Sequence, residues 1–120
     1  KIVARAHNLR EKKNDPLGHA EIILIRKISH KFKNWRLLGV TLYVSLEPCL
    51  MCIGALVQAR VKRLVFGAMD PKAGACGSLY DVPNDLRLPH RMEVTRGLLE
   101  KESALLLKKF FEVLRKKGKK

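Results

Sequence analysis

Two short segments of this chain, His19-Ala20-Glu21 and Pro48-Cys49-Leu50-Met51-Cys52, carry a metal-ligand set split along the sequence. Any fold that uses the set must bring the two segments to one point, which constrains topology more than any other feature. A Cys-x-x-Cys pair alone is weak. Joined to His-x-Glu, with proline directly before the first cysteine, it becomes specific. His19, Cys49 and Cys52 are three good Zn²⁺ ligands, and no fourth lies at a usual spacing. A structural zinc normally takes four protein ligands, whereas a catalytic zinc takes three and keeps a position open. Glu21 is two residues from His19, placed to move protons without binding the metal.

At 120 residues the chain reads as one domain with a real core. Lys and Arg outnumber Asp and Glu by 25 to 11, a formal charge of +14 that points to a polyanionic partner. A small-molecule enzyme does not need that excess. Lys116, Lys117, Lys119 and Lys120 form a basic tail over residues 116–120. With two of the three cysteines assigned to metal, Cys76 is left over, a pattern that fits a reducing cytoplasm and gives no disulfide framework. No apolar run reaches membrane-spanning length.

Periodicity places the motifs. Residues 1–6 read as a strand with apolar Ile2, Val3, Ala4 and Ala6, buried on more than one side. Ala20, Leu24 and Ile28 recur at helical spacing over residues 19–32, after the breakers Asp15, Pro16 and Gly18. Val40, Leu42, Val44 and Leu46 alternate with Thr41, Tyr43 and Ser45, which predicts a strand, and Pro48 opens a second helix. Residues 61–66 and 92–94 predict two further strands, and residues 100–117 an amphipathic helix with Phe110 and Phe111 facing inward. Strands alternating with helices give an α/β class with a mainly parallel sheet flanked by helices. Both ligand segments then lie at helix N-termini, where free N–H groups and the positive dipole end lower a thiol pKa.

The H-x-E and P-C-x-x-C combination is the signature of the zinc-dependent nucleobase deaminases. Further strings narrow the likeness: Ala6-His7-Asn8, Asp15-Pro16, Leu42-Tyr43-Val44-Ser45-Leu46-Glu47-Pro48-Cys49, Asp70-Pro71-Lys72-Ala73-Gly74-Ala75-Cys76-Gly77-Ser78 and Pro89-His90-Arg91. Over residues 4–115 the chain resembles the bacterial tRNA-adenosine deaminases. The resemblance implies a cytidine-deaminase-like three-layer fold over residues 1–115. It also implies hydrolytic conversion of a tRNA wobble adenosine to inosine by zinc-activated hydroxide, with Glu21 as general acid/base. It carries Zn²⁺, tRNA or another single-stranded nucleic acid, a homodimer and a cytoplasmic setting, with no membrane. Other readings stay open: an adenine deaminase acting on single-stranded DNA, a free cytidine or guanine deaminase, and a non-catalytic zinc-stabilised RNA-binding module.

Relative to the family, an N-terminal helix and first strand are missing before residue 1. That leads to the expectation of an open edge along residues 2–6, and of self-association, a partner segment or a larger complex. By resemblance, substrate contacts fall on Asn8, Ala20, Leu46, Pro48, Asp70, Lys72, His90, Arg91, Phe111 and Arg115. Read alone, Asn8 is a turn residue, and Asp70, Lys72, His90 and Arg91 are polar loop positions. Phe111 reads as core or as a stacking surface for a flipped neighbouring base. Arg115 reads as a solvated cation. Glu47 is either a surface charge or a group orienting the cysteine loop. Pro89 departs from the asparagine usual in the family, and Trp35 reads as a packing residue.

Overall fold

A computed structural model describes residues 2–99. The elements run α1 (Ala20–Phe32), β1 (Thr41–Leu46), α2 (Leu50–Gln58), β2 (Arg63–Ala68), a 3-10 turn (Val82–Asn84) and β3 (Glu93–Thr95). The expected helix over residues 100–117 lies outside the described residues, as do Phe110, Phe111 and Arg115.

α1 has neither Gly nor Pro inside it, and its charges suit the helix dipole, with Glu21 in the first turn and His30 and Lys31 in the last. It ends where Lys33 enters the left-handed region at φ 52° and Asn34 donates its N–H to the Ser29 carbonyl. That six-to-one closure normally uses glycine. α2 is nearly all apolar, because it is the connection between two parallel strands and lies against the sheet.

The strands form a three-stranded parallel sheet in the order β1-β2-β3, with Leu42 opposite Leu64, Leu46 opposite Ala68 and Leu64 opposite Val94. The alternation in β1 is as the sequence predicts: Leu42 is buried while Tyr43 and Ser45 are exposed. β2 is central, and its residues from Leu64 to Ala68 are all buried. Leu42, Leu64 and Phe66 meet Ile53, Leu56 and Val57 of α2 and Ile28 of α1 in one core. Parallel strands place the C-terminal ends of β1 and β2 side by side, so Glu47-Pro48-Cys49 and Met69-Asp70 leave the sheet at the same end.

One expectation is corrected. Residues 2–6 do not form a strand, and Ile2 is 67% exposed rather than buried. No described strand lies alongside to complete a ladder; instead Lys27 and Lys31 of α1 reach across, their Nζ atoms donating to the carbonyls of Arg5 (2.8 Å) and Val3 (3.3 Å). The segment is irregular chain fastened by two lysines. A second, smaller difference is that Pro48 precedes α2, with Cys49 as its N-cap.

Truncating the central strand tests this core. Phe66→Ala is expected to cost about 3–5 kcal/mol, the range for a buried aromatic, whereas Tyr43→Ala, at a side chain exposed among the described residues, should stay within about 0.5 kcal/mol. Equal losses in denaturant unfolding would contradict the assignment of the two sheet faces.

Candidate active site

The site is built where two helices begin. His19 is the N-cap of α1 (φ −73°, ψ 146°) and Cys49 the N-cap of α2 (φ −77°, ψ 176°), both extended, with Cys52 inside the first turn of α2. His19 Nδ1 lies 3.7 Å from Cys49 Sγ and 3.5 Å from Cys52 Sγ, and one donor atom from each residue falls within 4.8 Å of the others. Among the described residues this is the group of three that can hold a metal ion. Two thiols and an imidazole within reach of one point suit Zn²⁺. The expected lowering of the thiol pKa does not hold at Cys52. Burial pushes it well up, and the negative charges of Glu21 and Cys49 push it further. Burial and anionic neighbours outweigh the helix terminus, so a thiolate at Cys52 needs a cation beside it.

Glu21 stands in the first turn of α1, close enough to Cys52 to act on its thiol, and is not part of the three-atom group. The first amides of α1 and α2, including that of Ala20, have no intrahelical acceptor and point toward this end.

A loop closes beside His19. Leu9 N–H donates to the Gly18 carbonyl at 2.8 Å, and Asn8 Oδ1 accepts from the Arg10 amide at 2.8 Å. Asn8 is thereby carried to the His19 end of α1 while forming the turn its residue type suggests. A side chain at Gly18 would press on the Arg10 and Asp15 backbone, so the closure requires glycine there.

Glu47 holds the opposite wall, and its burial went beyond what the sequence indicated. It is 2% exposed and lies between Leu46 and Pro48. Its carboxylate accepts from the amides of Asp70 (2.9 Å), Cys76 (2.8 Å) and Ser78 (3.1 Å), and from the Ser78 hydroxyl. Burial raises its pKa, but the Ser78 hydroxyl and the three amides together outweigh burial and hold it below the usual value. The loop so gathered pairs back on the ligand segment: Ala75 N–H donates to the Pro48 carbonyl at 2.9 Å, and Gly74 bridges Cys49. Gly74 is required because a Cβ there would occupy the space of the Glu47 carboxyl group.

Other expected positions divide. Leu46 and Pro48 frame the end of β1 beside the cluster. Asp70 turns its own loop, its Oδ1 accepting from the Lys72 and Ala73 amides, and Lys72 is exposed. His90 and Arg91 are elsewhere within the chain. His90 Nε2 donates to the Val61 carbonyl at 2.6 Å, before β2 begins, roughly 20 Å from the cluster at about 3.3 Å per strand residue. Arg91 donates to the carbonyls of Asp85 and Leu86. Cys76 is buried against Glu47 with its thiol pushed up to about 12, chiefly by burial and then by Glu47. It stays a thiol and takes no part in the group. Sequence reasoning missed Gly74, Ser78 and Arg96, whose Nε donates to the Cys76 carbonyl at 2.9 Å. An acid wedged between Leu46 and Pro-Cys was the one available signal.

Replacing Cys49 or Cys52 by alanine is expected to remove bound zinc and lower the melting temperature, since site formation and folding are coupled. Cys76→Ser should keep its metal. Equal zinc loss in all three proteins, by elemental analysis, would overturn the ligand assignment. Glu47→Gln places an NH₂ among donors and should cost about 1–3 kcal/mol, and Gly74→Ala should cost as much without adding to it in the double variant. Because the Glu47 pKa is lowered on folding, its stabilisation is complete above about 4.5, its ordinary value, and is lost as pH falls through the lower folded value. Glu47→Gln should therefore flatten the acid side of the stability–pH curve; an unchanged curve would show that the carboxylate carries no such linkage.

Known proteins resemble this chain in sequence and in fold. A family model for MafB19-like deaminases covers residues 1–115. The tRNA-specific adenosine deaminase of Bacillus subtilis (strain 168) is 49% identical over 98% of this chain and 73% of its own length. The Haemophilus influenzae protein of the same name is 46% identical over 98% of this chain and 68% of its own. Among solved structures, one from work on A-to-I editing by tRNA:A34 deaminases superposes with a TM-score of 0.82 at 42% identity, covering 87% of this chain and 75% of that one. A guanine deaminase from Nitrosomonas europaea shares the fold at a TM-score of 0.73 and 23% identity. With a relative 49% identical over 98% of this chain and 73% of its own length, the chain belongs to the tRNA-specific adenosine deaminase family.

Proposed function

We propose that this protein deaminates adenosine to inosine at the wobble position of a tRNA anticodon loop, adding water and releasing ammonia. One observation carries the reading: His19, Cys49 and Cys52 converge at two helix starts with Glu21 beside them and outside the ligand group. Those three residues would hold Zn²⁺, whose Lewis acidity would bring the pKa of a water from 15.7 toward about 7. The Glu21 carboxylate takes one proton from the water and gives it to the purine ring nitrogen as the hydroxyl adds to C6, then takes the second proton from that hydroxyl and gives it to the amino group, which leaves as ammonia. The amides of Ala20 and of the first turn of α2 donate to the ring edge and to charge developing on it. Asn8, brought beside His19, binds the nucleoside, and Leu46 and Pro48 wall the base. Asp70 and Lys72 meet the sugar and phosphate next to it. Phe111 and Arg115 belong to the same proposed contact set. The target base must leave its stack to reach the cluster, which an unpaired loop allows at least cost.

His90 and Arg91, remote from the cluster in one chain, reach substrate only on a surface away from it. Assembly as a homodimer and a cytoplasmic setting form part of the proposal. No described helix is long and apolar enough to cross a membrane. The +14 charge supports a nucleic-acid substrate over a free nucleoside.

The test is ammonia and inosine release from an anticodon stem-loop, set against single-stranded DNA and free adenosine, cytidine and guanine. Turnover is expected on the stem-loop, and Glu21→Gln should keep zinc and fold while losing at least about 10²-fold in rate, the usual scale of acid–base catalysis. Full activity in that variant would remove Glu21 from the mechanism, and turnover of a free base alone would replace the substrate.

A further inference from the structure

The end of α1 farthest from the ligand cluster carries a feature that the deamination site does not use. No Asp or Glu occurs between Glu21 and Glu47, or between Glu47 and Asp70, while these stretches hold eight Lys and Arg, five in the first and three in the second. The fold gathers several of them. A shallow depression runs past Arg26, His30 and Lys33 to Trp35 at the C-terminal end of α1. Trp35, expected to be a packing residue, is 55% exposed. The Arg36 guanidinium lies 4.5 Å from its ring centroid and that of Arg60 lies 6.0 Å away. Arg60 is fixed a second time, donating from Nη1 to the Val57 carbonyl at 2.9 Å. The ion pairs among the described residues fall on Arg10, Arg63, Arg87 and Arg96, so none neutralises Arg26, Lys33, Arg36 or Arg60.

Uncompensated cations repel one another, and a folded chain gains nothing from collecting them around an exposed tryptophan unless an anion meets them. The ring contributes position. Cation–π contact holds the Arg36 guanidinium and adds to the Val57 bond that already holds Arg60, and that lowers the entropy cost of binding a phosphate. The thirteen residues of α1 place this face about 20 Å from His19 at 1.5 Å per residue. A ligand filling both places must be an extended polyanion, and a free nucleoside cannot.

Resting on the tRNA reading above, we propose that Arg26, Lys33, Arg36 and Arg60, arranged around Trp35, bind the sugar–phosphate backbone of the substrate RNA outside the loop that enters the active site. The contact is independent of sequence. It fixes the orientation of the RNA arm and supplies affinity, while the cluster end selects the base.

The test measures binding of a tRNA transcript with adenosine at the wobble position, and of its isolated loop oligonucleotide, as a function of salt. Two variants are compared with the wild type: Arg36→Gln/Arg60→Gln, and the fully surface Arg26→Gln/Lys33→Gln, which leaves the Arg60–Val57 bond intact. Zinc content, melting temperature and oligomeric state are recorded for each. Each pair is expected to weaken tRNA binding and reduce the slope of log affinity against log salt by about 2, or about 1 per cation, with a smaller effect on the loop oligonucleotide. Unchanged tRNA affinity and slope in a folded, zinc-loaded Arg26→Gln/Lys33→Gln protein would overturn the proposal. So would equal losses on the two RNAs, or a change of oligomeric state without RNA, which would make the face a contact between copies. A wild type that binds tRNA through this face without deaminating it would overturn the functional reading and leave this one standing.

Discussion

The buried carboxylate of Glu47 is the interaction on which the arrangement at the end of the sheet depends. Burying an acid is costly, and here burial alone would raise its pKa; a hydroxyl and three amides, all converging from residues 70–78, reverse the balance. Those donors lie far along the chain and share no secondary structure. One side chain thus does for an irregular loop what ladder hydrogen bonds do for a strand. The loop in turn presents Gly74 and Ala75 to the backbone of Pro48 and Cys49, so the position of a candidate metal ligand is set by a residue two places before it. This is the indirect support that ligand sets require: the ligands supply chemistry, and their surroundings supply geometry.

Much of the fold was legible because its signals are local. The alternation from Val40 to Leu46, the spacing of Ala20, Leu24 and Ile28, and the β-branched run before Phe66 each state a period that only one backbone conformation accommodates. The ligand set was legible for a different reason. Two helix N-caps and one first-turn position were implied once Pro48 and Gly18 were read as punctuation. Family resemblance then assigned a reaction that spacing alone left open, since three ligands and one free acid also suit a binding module.

What escaped the sequence was non-local. Residues 2–6 have strand-like composition, but a strand exists only as a pair, and the chain offers lysine amines there in place of a neighbouring ladder. His90 and Arg91 stand adjacent to each other in a substrate-loop motif, yet parallel pairing of β3 with β2 carries them to the N-terminal end of the sheet. The pKa of Cys52 shows the same limit: the helix terminus is visible in sequence, whereas the burial and the neighbouring Glu21 that prevail over it are products of the fold.

The two ends of the molecule divide the electrostatic work. Glu21, Glu47 and Asp70 lie at the end of the candidate ligand group, so the proposed chemistry is bordered by acids, of which Glu47 and Asp70 hold loops. The acid-free stretches on either side of Glu47 deliver their cations to the far end of α1. A polyanion approaching the cluster end alone meets Glu21 and Asp70, while Glu47 is enclosed by its donors, and like charges in a partly desolvated site are unfavourable. Beyond the contact proposed for Lys72, further attraction would come from a face set apart from the acids, at a reach that matches the distance between them. That separation gives a physical reason for a substrate much larger than the base that reacts. On the proposed reading, the phosphate backbone would supply affinity at one end of the helix, which would leave the other end free to be shaped and charged for proton transfer.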